Sequence, residues 1–249
     1  MSHSRLFSRS LIRLRATDIS EGESGEDVAG FLQGLVTNDV TGQLPTYAGL
    51  LSAQGKAMFD FIVWPAGHGE LLIDCEAAQA DALVKRLSLY RLRRKISIER
   101  DDTLGVYWKA ELGDGGVPDP RLADLGERWV AKVSDHDIAA DAAWQAHRLA
   151  LGVSEGVEEL GDILWLETNA VELHGVSFKK GCYIGQENTA RMNWRQKVNR
   201  RLIVVPLDQS QEKRRKVAYP ESGFAVDHLH VADIAPEWVP TWMTLEAPE

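Results

Sequence analysis

Phe178-Lys179-Lys180-Gly181-Cys182-Tyr183-Ile184-Gly185-Gln186-Glu187 carries the densest chemistry in this chain. One cysteine stands between two glycines, just after a lysine pair. Glycine lets backbone come close to a partner or ligand. Neighbouring lysines stabilise a thiolate and lower the thiol pKa, and a helix beginning near Gly185 adds the positive end of its dipole. Two readings of Cys182 stay open: a functional thiol, or a buried structural cysteine, the usual fate of a free Cys. Cys75, closing the apolar run Leu71-Leu72-Ile73-Asp74, suits the second reading well. Cys182, among charges and glycines, suits it poorly.

Outward from that stretch the pattern mixes both periodicities. Leu11-Ile12-Arg13-Leu14 reads as a first strand. Val28, Phe31, Leu32 and Leu35 share one face of a helix over 26–35. Residues 50–64 read as a hairpin turning at Gln54-Gly55-Lys56, followed by a strand at 71–75. The spacing of Ala80, Leu83, Val84, Leu87 and Tyr90 predicts a helix over 77–94, flanked by Lys85, Arg86, Arg93 and Arg94. Strands follow at 96–98, 104–109 and 129–133, a helix at 139–151, and a strand at 201–207. Hairpins and helices interspersed in this way indicate α+β, not a doubly wound sheet.

Composition narrows the function. The chain has 249 residues, 44% hydrophobic and 26% charged, as in an ordinary globular protein, and a net charge of −9, where a general nucleic-acid binder would be basic. No apolar run approaches the ~18–20 residues of a membrane helix. Two cysteines exclude both a disulfide framework and a self-contained four-cysteine metal site. Residues 1–17 carry four arginines and no acid, the composition of a mitochondrial transit peptide, but the strand at 11–14 competes with that reading. With two free thiols and no signal core, the expectation is a bacterial-type cytoplasm. Charge is uneven: residues 101–172 hold sixteen acids and five bases, residues 179–216 eleven bases and three acids. That contrast suggests either a local anion site or a solvated basic face paired with the acidic part.

Lys180-Gly181-Cys182-Tyr183-Ile184-Gly185-Gln186-Glu187 resembles the signature of the YgfZ-type folate-binding proteins of iron–sulfur cluster assembly, relatives of the glycine-cleavage T-protein, an aminomethyltransferase. Three further stretches are similar to that family: Phe31-Leu32-Gln33-Gly34-Leu35-Val36-Thr37-Asn38-Asp39-Val40, Leu51-Ser52-Ala53-Gln54-Gly55-Lys56, and a basic helix around Tyr90-Arg91-Leu92-Arg93. The resemblance spans roughly residues 8–207. It implies a three-lobed, ring-like α+β fold with a central folate cavity, a folate-binding region over 1–200 in two interleaved lobes, and a C-terminal β-barrel over 201–249. Only about fifty residues follow Arg200, too few for six strands of ordinary length. The barrel is therefore expected to be shortened, with Lys213-Arg214-Arg215-Lys216 as a mobile loop.

The resemblance also implies tetrahydrofolate or a derivative as cofactor, and iron–sulfur carrier or client proteins as transient partners of a monomer. Gln33, Asn38 and Asp60 are candidate polar contacts to folate. Arg191, Arg195 and Lys197 are candidates for its anionic tail, and Trp194 for stacking. Aminomethyltransferase relatives carry paired aspartates where this chain has Phe59-Asp60, which puts the T-protein reaction in doubt. A lone Cys182 cannot hold a cluster, which needs about four ligands, so any cluster contact is shared with a partner. In this reading Lys180 keeps the thiol ionised, Tyr183 bonds or stacks, and Gln186 and Glu187 position the loop or meet folate. The alternative is a folate-dependent one-carbon transferase.

Overall fold

The computed structural model describes residues 4–17, 25–113, 115–195 and 198–245. Three sheets organise it. The first is antiparallel throughout, in the spatial order Thr46–Leu51, Ala57–Pro65, Leu71–Glu76, Arg9–Ala16, Ile96–Arg100. Its strands read as nearly continuous apolar runs because both faces are covered. Ile12, Leu14, Phe61, Val63, Ile73 and Cys75 face one way, into a core shared with two helices. Leu11, Ile62, Trp64 and Leu72 alternate to the other face and join the central core.

The helices are α1 (Val28–Gln33), α2 (Ala80–Arg91), α3 (Asp141–Ala150), α4 (Val157–Leu160) and α5 (Gln186–Arg195). α1 starts where Asp27 caps it, its side chain accepting from the Gly30 N–H at 2.8 Å. It ends earlier than the apolar spacing predicts, at the Gly34 cap. α2 begins after a 3-10 turn at Ala77–Gln79 and is stopped by Leu92 at φ 53°. Its Ala80, Leu83 and Leu87 are buried, as the stripe requires. Among the described residues no helix is long and apolar enough to cross a membrane.

The second sheet has the order Ile138–Ala139, Ser4–Arg5, Leu104–Lys109, Glu127–Lys132, Val117–Pro118. The third contains Arg200–Pro206, Phe224–His230 and Arg215–Tyr219, antiparallel. The C-terminal part is thus an open three-stranded sheet where a shortened barrel is expected, and among the described residues no closed barrel forms. Its outer face has a small core of Ile203, Val205, Leu229, Ile234 and Met243. Its inner face sends Leu202, Val204 and Val226 into the central core with Trp108, Trp144 and Trp165. The basic run 213–216 is not a free loop. Arg215 and Lys216 open a strand, Arg215 Nε donates to Ser210 Oγ at 2.7 Å, and Lys216 Nζ donates to the Gly161 carbonyl at 2.9 Å.

Candidate functional site

The cysteine segment is pinned on both flanks by the stretches that share its family resemblance. Upstream, the half-buried Lys180 ammonium donates to the carbonyls of Gln33 (2.6 Å), Val36 and Asn38 (3.1 Å), closing over the end of α1. Ser177 N–H donates to the Thr37 carbonyl at 3.0 Å in the same turn. Downstream, Gly185 sits at φ 80° against the hairpin turn, where Gly55 has φ 79°. A Cβ on Gly185 would fall 2.5 Å from the Ser52 carbonyl oxygen and 3.0 Å from Gly55 Cα. Asn188 Nδ2 donates to the Gln54 carbonyl at 2.9 Å. The backbone itself is the obstacle, so Gly185→Ala is expected to cost ~1–3 kcal/mol, the scale of a strained left-handed residue. Urea unfolding would show it, and a stability within error of wild type would disprove this reading of the turn.

Between these anchors Cys182 is exposed, and a Cβ at Gly181 would meet nothing within 4 Å. Cys75 is buried at 1% exposure, and burial pushes its thiol up to about 12. Cys75 thus has the burial of a structural cysteine, and Cys182 does not. Lys180 directs its ammonium to three carbonyls, so its observed work is to anchor the segment. Burial draws it down to about 8, and its Nζ lies 5.1 Å from the Tyr183 ring centroid. Tyr183 is buried, and burial raises its phenol above its ordinary value. Gln186 opens α5, Glu187 pairs with Arg191 at 2.9 Å on its exposed face, and Trp194 is 75% exposed. The Arg195 side chain and Lys197 lie outside the described residues.

A second constellation has no local sequence motif. Arg9, Asp60 and Asp74 leave the first sheet on its central face, where Arg121, Arg128, Asp119 and Glu155 meet them, all buried or nearly so. Arg9 Nε donates to Asp74 at 2.6 Å, and Arg128 Nη1 to the other Asp74 oxygen at 2.9 Å. Arg121 grips Asp119 with two donors, at 2.9 and 2.8 Å, and reaches Glu155 at 2.6 Å. Burial alone would raise the Glu155 carboxyl, but Arg9, Arg121 and Arg128 hold it well below its usual range. Arg9, Arg121 and Arg128 thus balance Asp74, Asp119 and Glu155.

Asp60 is the carboxyl left over. It accepts from Gly156 N–H at 3.1 Å, and burial pushes it up to about 6 despite Arg9. Its unfolded value is ~3.9, so stability from the protonated form is full below pH ~4 and is lost as pH rises through about 6. Asp60→Asn removes that loss. The variant is expected to match wild type near pH 4 and to exceed it by ~2–3 kcal/mol above pH 7, since each pKa unit is worth ~1.4 kcal/mol. Melting curves across pH check this; a pH-independent difference would contradict it.

Beside this cluster a cleft of about 310 Å³ is lined by Ser8, Arg9, Glu76, Trp144, Arg148, Glu155, Gly156 and Tyr219, drawn from the first sheet, α3, the loop before α4 and the third sheet. Arg148 is held by Glu159 at 2.6 Å, and Tyr219 also donates to Glu159. Of the residues expected to contact folate, only Asp60 borders this cleft, through Gly156. Gln33 and Asn38 close the turn after α1 instead. Gln33 donates to Asp39 at 3.0 Å and accepts from Val40 N–H at 2.9 Å. Asn38 donates to the carbonyls of Tyr47 (2.8 Å) and His174 (2.7 Å). Arg191 and Trp194 sit on exposed α5, so these five candidates do not form one site. The cleft's lining carries carboxylates, a guanidinium and a phenol, with Arg148 and Tyr219 both engaged by Glu159, and its volume is at the lower end for small-molecule pockets. Glu155, Arg148 and Tyr219 meet in this cleft although no spacing pattern links them in the sequence.

No family model matches the chain. Its architecture is that of the aminomethyltransferase fold. It superposes on the glycine cleavage system aminomethyltransferase T of Bartonella henselae with a TM-score of 0.66, over 93% of this chain and 79% of that one, at 12% identity. In sequence its homologues are iron–sulfur cluster assembly factors. The chain is 33% identical over 240 residues to the mitochondrial iron–sulfur cluster assembly factor IBA57 of Homo sapiens, covering 81% of this chain and 65% of that protein. The Mus musculus factor is 33% identical over 244 residues, covering 82% and 66%. The Neurospora crassa homolog is 33% identical over 218 residues, covering 72% and 50%. The chain therefore spans between half and about two thirds of these relatives. All three are named mitochondrial, which overturns the expectation of a bacterial-type cytoplasm.

Proposed function

We propose that this chain acts in iron–sulfur cluster assembly as a YgfZ-type accessory factor, with Cys182 as its working group. The observation that carries the reading is an exposed thiol on a short span fixed at both ends, by Lys180 on the α1 turn and by Gly185 on the hairpin. Among the described residues no three His, Cys, Asp or Glu side chains are grouped to hold a metal ion. Cys182 therefore supplies one soft ligand to a cluster whose other ligands come from a transient carrier or client protein. As the cluster changes hands, Cys182 Sγ gives up its proton, replaces one donor thiolate on iron and is displaced in turn by a thiolate of the recipient, or it guards the cluster during that exchange.

Tetrahydrofolate belongs to the same proposal, in the cleft between the first sheet, α3 and the third sheet. Glu155, Arg148 and Tyr219 would hold the pterin head, and the bound group would supply a one-carbon carrier. The second reading, one-carbon transfer on folate, draws on Asp60, a carboxyl raised to about 6 that borders that cleft. Rescue of iron–sulfur enzyme activities in cells lacking the endogenous protein separates the two. Under the leading reading Cys182→Ala fails while Asp60→Asn rescues. The opposite result would establish the second.

A further inference from the structure

Residues 82–95 contain six Lys and Arg and no acid, in a chain of net charge −9. Lys85, Leu89 and Leu92 follow one another at helical spacing along α2 and past its end, and all three are exposed, as are Arg93 and Arg94. Leu89 is 60% and Leu92 84% exposed. Leu92 also takes φ 53° and ψ −117°, a conformation that suits glycine. One residue thus carries two costs, apolar exposure and backbone strain, that a stability-driven sequence would remove. The patch is continuous with the cysteine segment through α1. Arg94 lies over the Phe31 ring at 5.9 Å, and Lys180 closes on the Gln33 carbonyl at 2.6 Å. Phe31 and Gln33 belong to the same six-residue helix, ~9 Å long.

We infer that the end of α2 is the docking surface for an acidic protein partner, the carrier or client that brings its thiolates to Cys182. The inference rests on the assembly reading above. Charge complementarity selects the partner: Lys85, Arg93 and Arg94 steer an acidic face onto the molecule, and Leu89 and Leu92 supply its apolar anchor. A protein occupant is favoured over a lipid surface because the patch and the cysteine segment flank one helix, within the reach of a standard interface.

Labelled poly-L-glutamate serves as the probe, with fluorescence anisotropy as the readout and the full chain as the sample. Wild type is expected to bind with an affinity that falls as salt rises. Lys85→Glu/Arg93→Glu is expected to weaken binding at least about tenfold and to flatten the salt dependence. Leu92→Ser is expected to leave poly-L-glutamate binding and its salt dependence unchanged, since the probe carries no apolar group to anchor, while weakening rescue in cells; full rescue by Leu92→Ser removes the apolar anchor from the surface. In cells, the double reversal is expected to lose rescue while keeping its melting temperature and the alkylation rate of Cys182. Unchanged probe binding in the double reversal overturns the surface. So does binding to phosphatidylserine-containing vesicles without binding to poly-glutamate, which would assign the patch to lipid. Full rescue by Cys182→Ala overturns instead the reading on which this one rests, and leaves the measured probe binding as it is.

Discussion

Cys182→Ala is expected to abolish rescue of iron–sulfur enzymes while leaving the protein folded. The thiol is exposed and the adjoining Gly181 faces open space, so its loss leaves no cavity. A surface change of this kind costs within about 0.5 kcal/mol. The segment's position depends on Lys180 and Gly185, which the substitution does not touch. Melting temperature and tetrahydrofolate binding should therefore match wild type, while the only soft ligand in the segment is gone. The measurement pairs complementation of several iron–sulfur enzymes with thermal unfolding and a tetrahydrofolate titration. Full rescue would remove Cys182 from the mechanism. A large drop in melting temperature together with lost rescue would assign it a structural role.

Arg128→Met should have the largest effect on stability. Arg128 is 0% exposed, 2.9 Å from Asp74 and 3.2 Å from Asp119, with its guanidinium 4.7 Å from the Trp144 ring centroid. Methionine fills much of the volume but leaves three buried carboxylates facing two arginines. Breaking a buried pair in this way costs ~3–5 kcal/mol. Adding Asp74→Asn removes one uncompensated charge, and the double variant is expected to recover part of the loss. Denaturant unfolding of both variants tests this. A loss below ~1 kcal/mol for Arg128→Met would show that the cluster relaxes around the missing charge.

The elements legible in the sequence were those with a local signal. The hairpin at Gln54-Gly55-Lys56, the strand ending at Cys75 and the stripe of α2 all appear where periodicity and turn residues place them. The exposed Cys182 and the helix after Gly185 were equally readable from neighbouring glycines and lysines. The ion cluster was not, because its members lie at 9, 74, 119, 121, 128 and 155, and only folding brings them together. The same blindness hid the hydrogen-bond partners of Lys180, Gln33 and Asn38. Each is polar and near the motif, yet each spends its donors on backbone carbonyls or turn neighbours that no spacing rule reveals. The arginines near the N-terminus illustrate the point in reverse. Arg9 is a buried partner of Asp74, and Arg13 bridges Glu70 and Asp101. Both arginines therefore serve ion pairs of the fold.

The contrast between the two cysteines also sets the oxidative chemistry open to the molecule. Cys75 is sealed between the first sheet and its helices, with its Sγ 3.7 Å from the Ser10 carbonyl, and burial keeps it a neutral thiol. Cys182 stands on a span tethered at Lys180 and Gly185, on the outside. An internal disulfide would require opening the sheet's core. Among the residues of this sequence no second thiol is in reach of Cys182, so its oxidised form is set up for resolution by a thiol from elsewhere, such as a small thiol or a partner's cysteine. Its sulfur can be capped and released again without disturbing the fold.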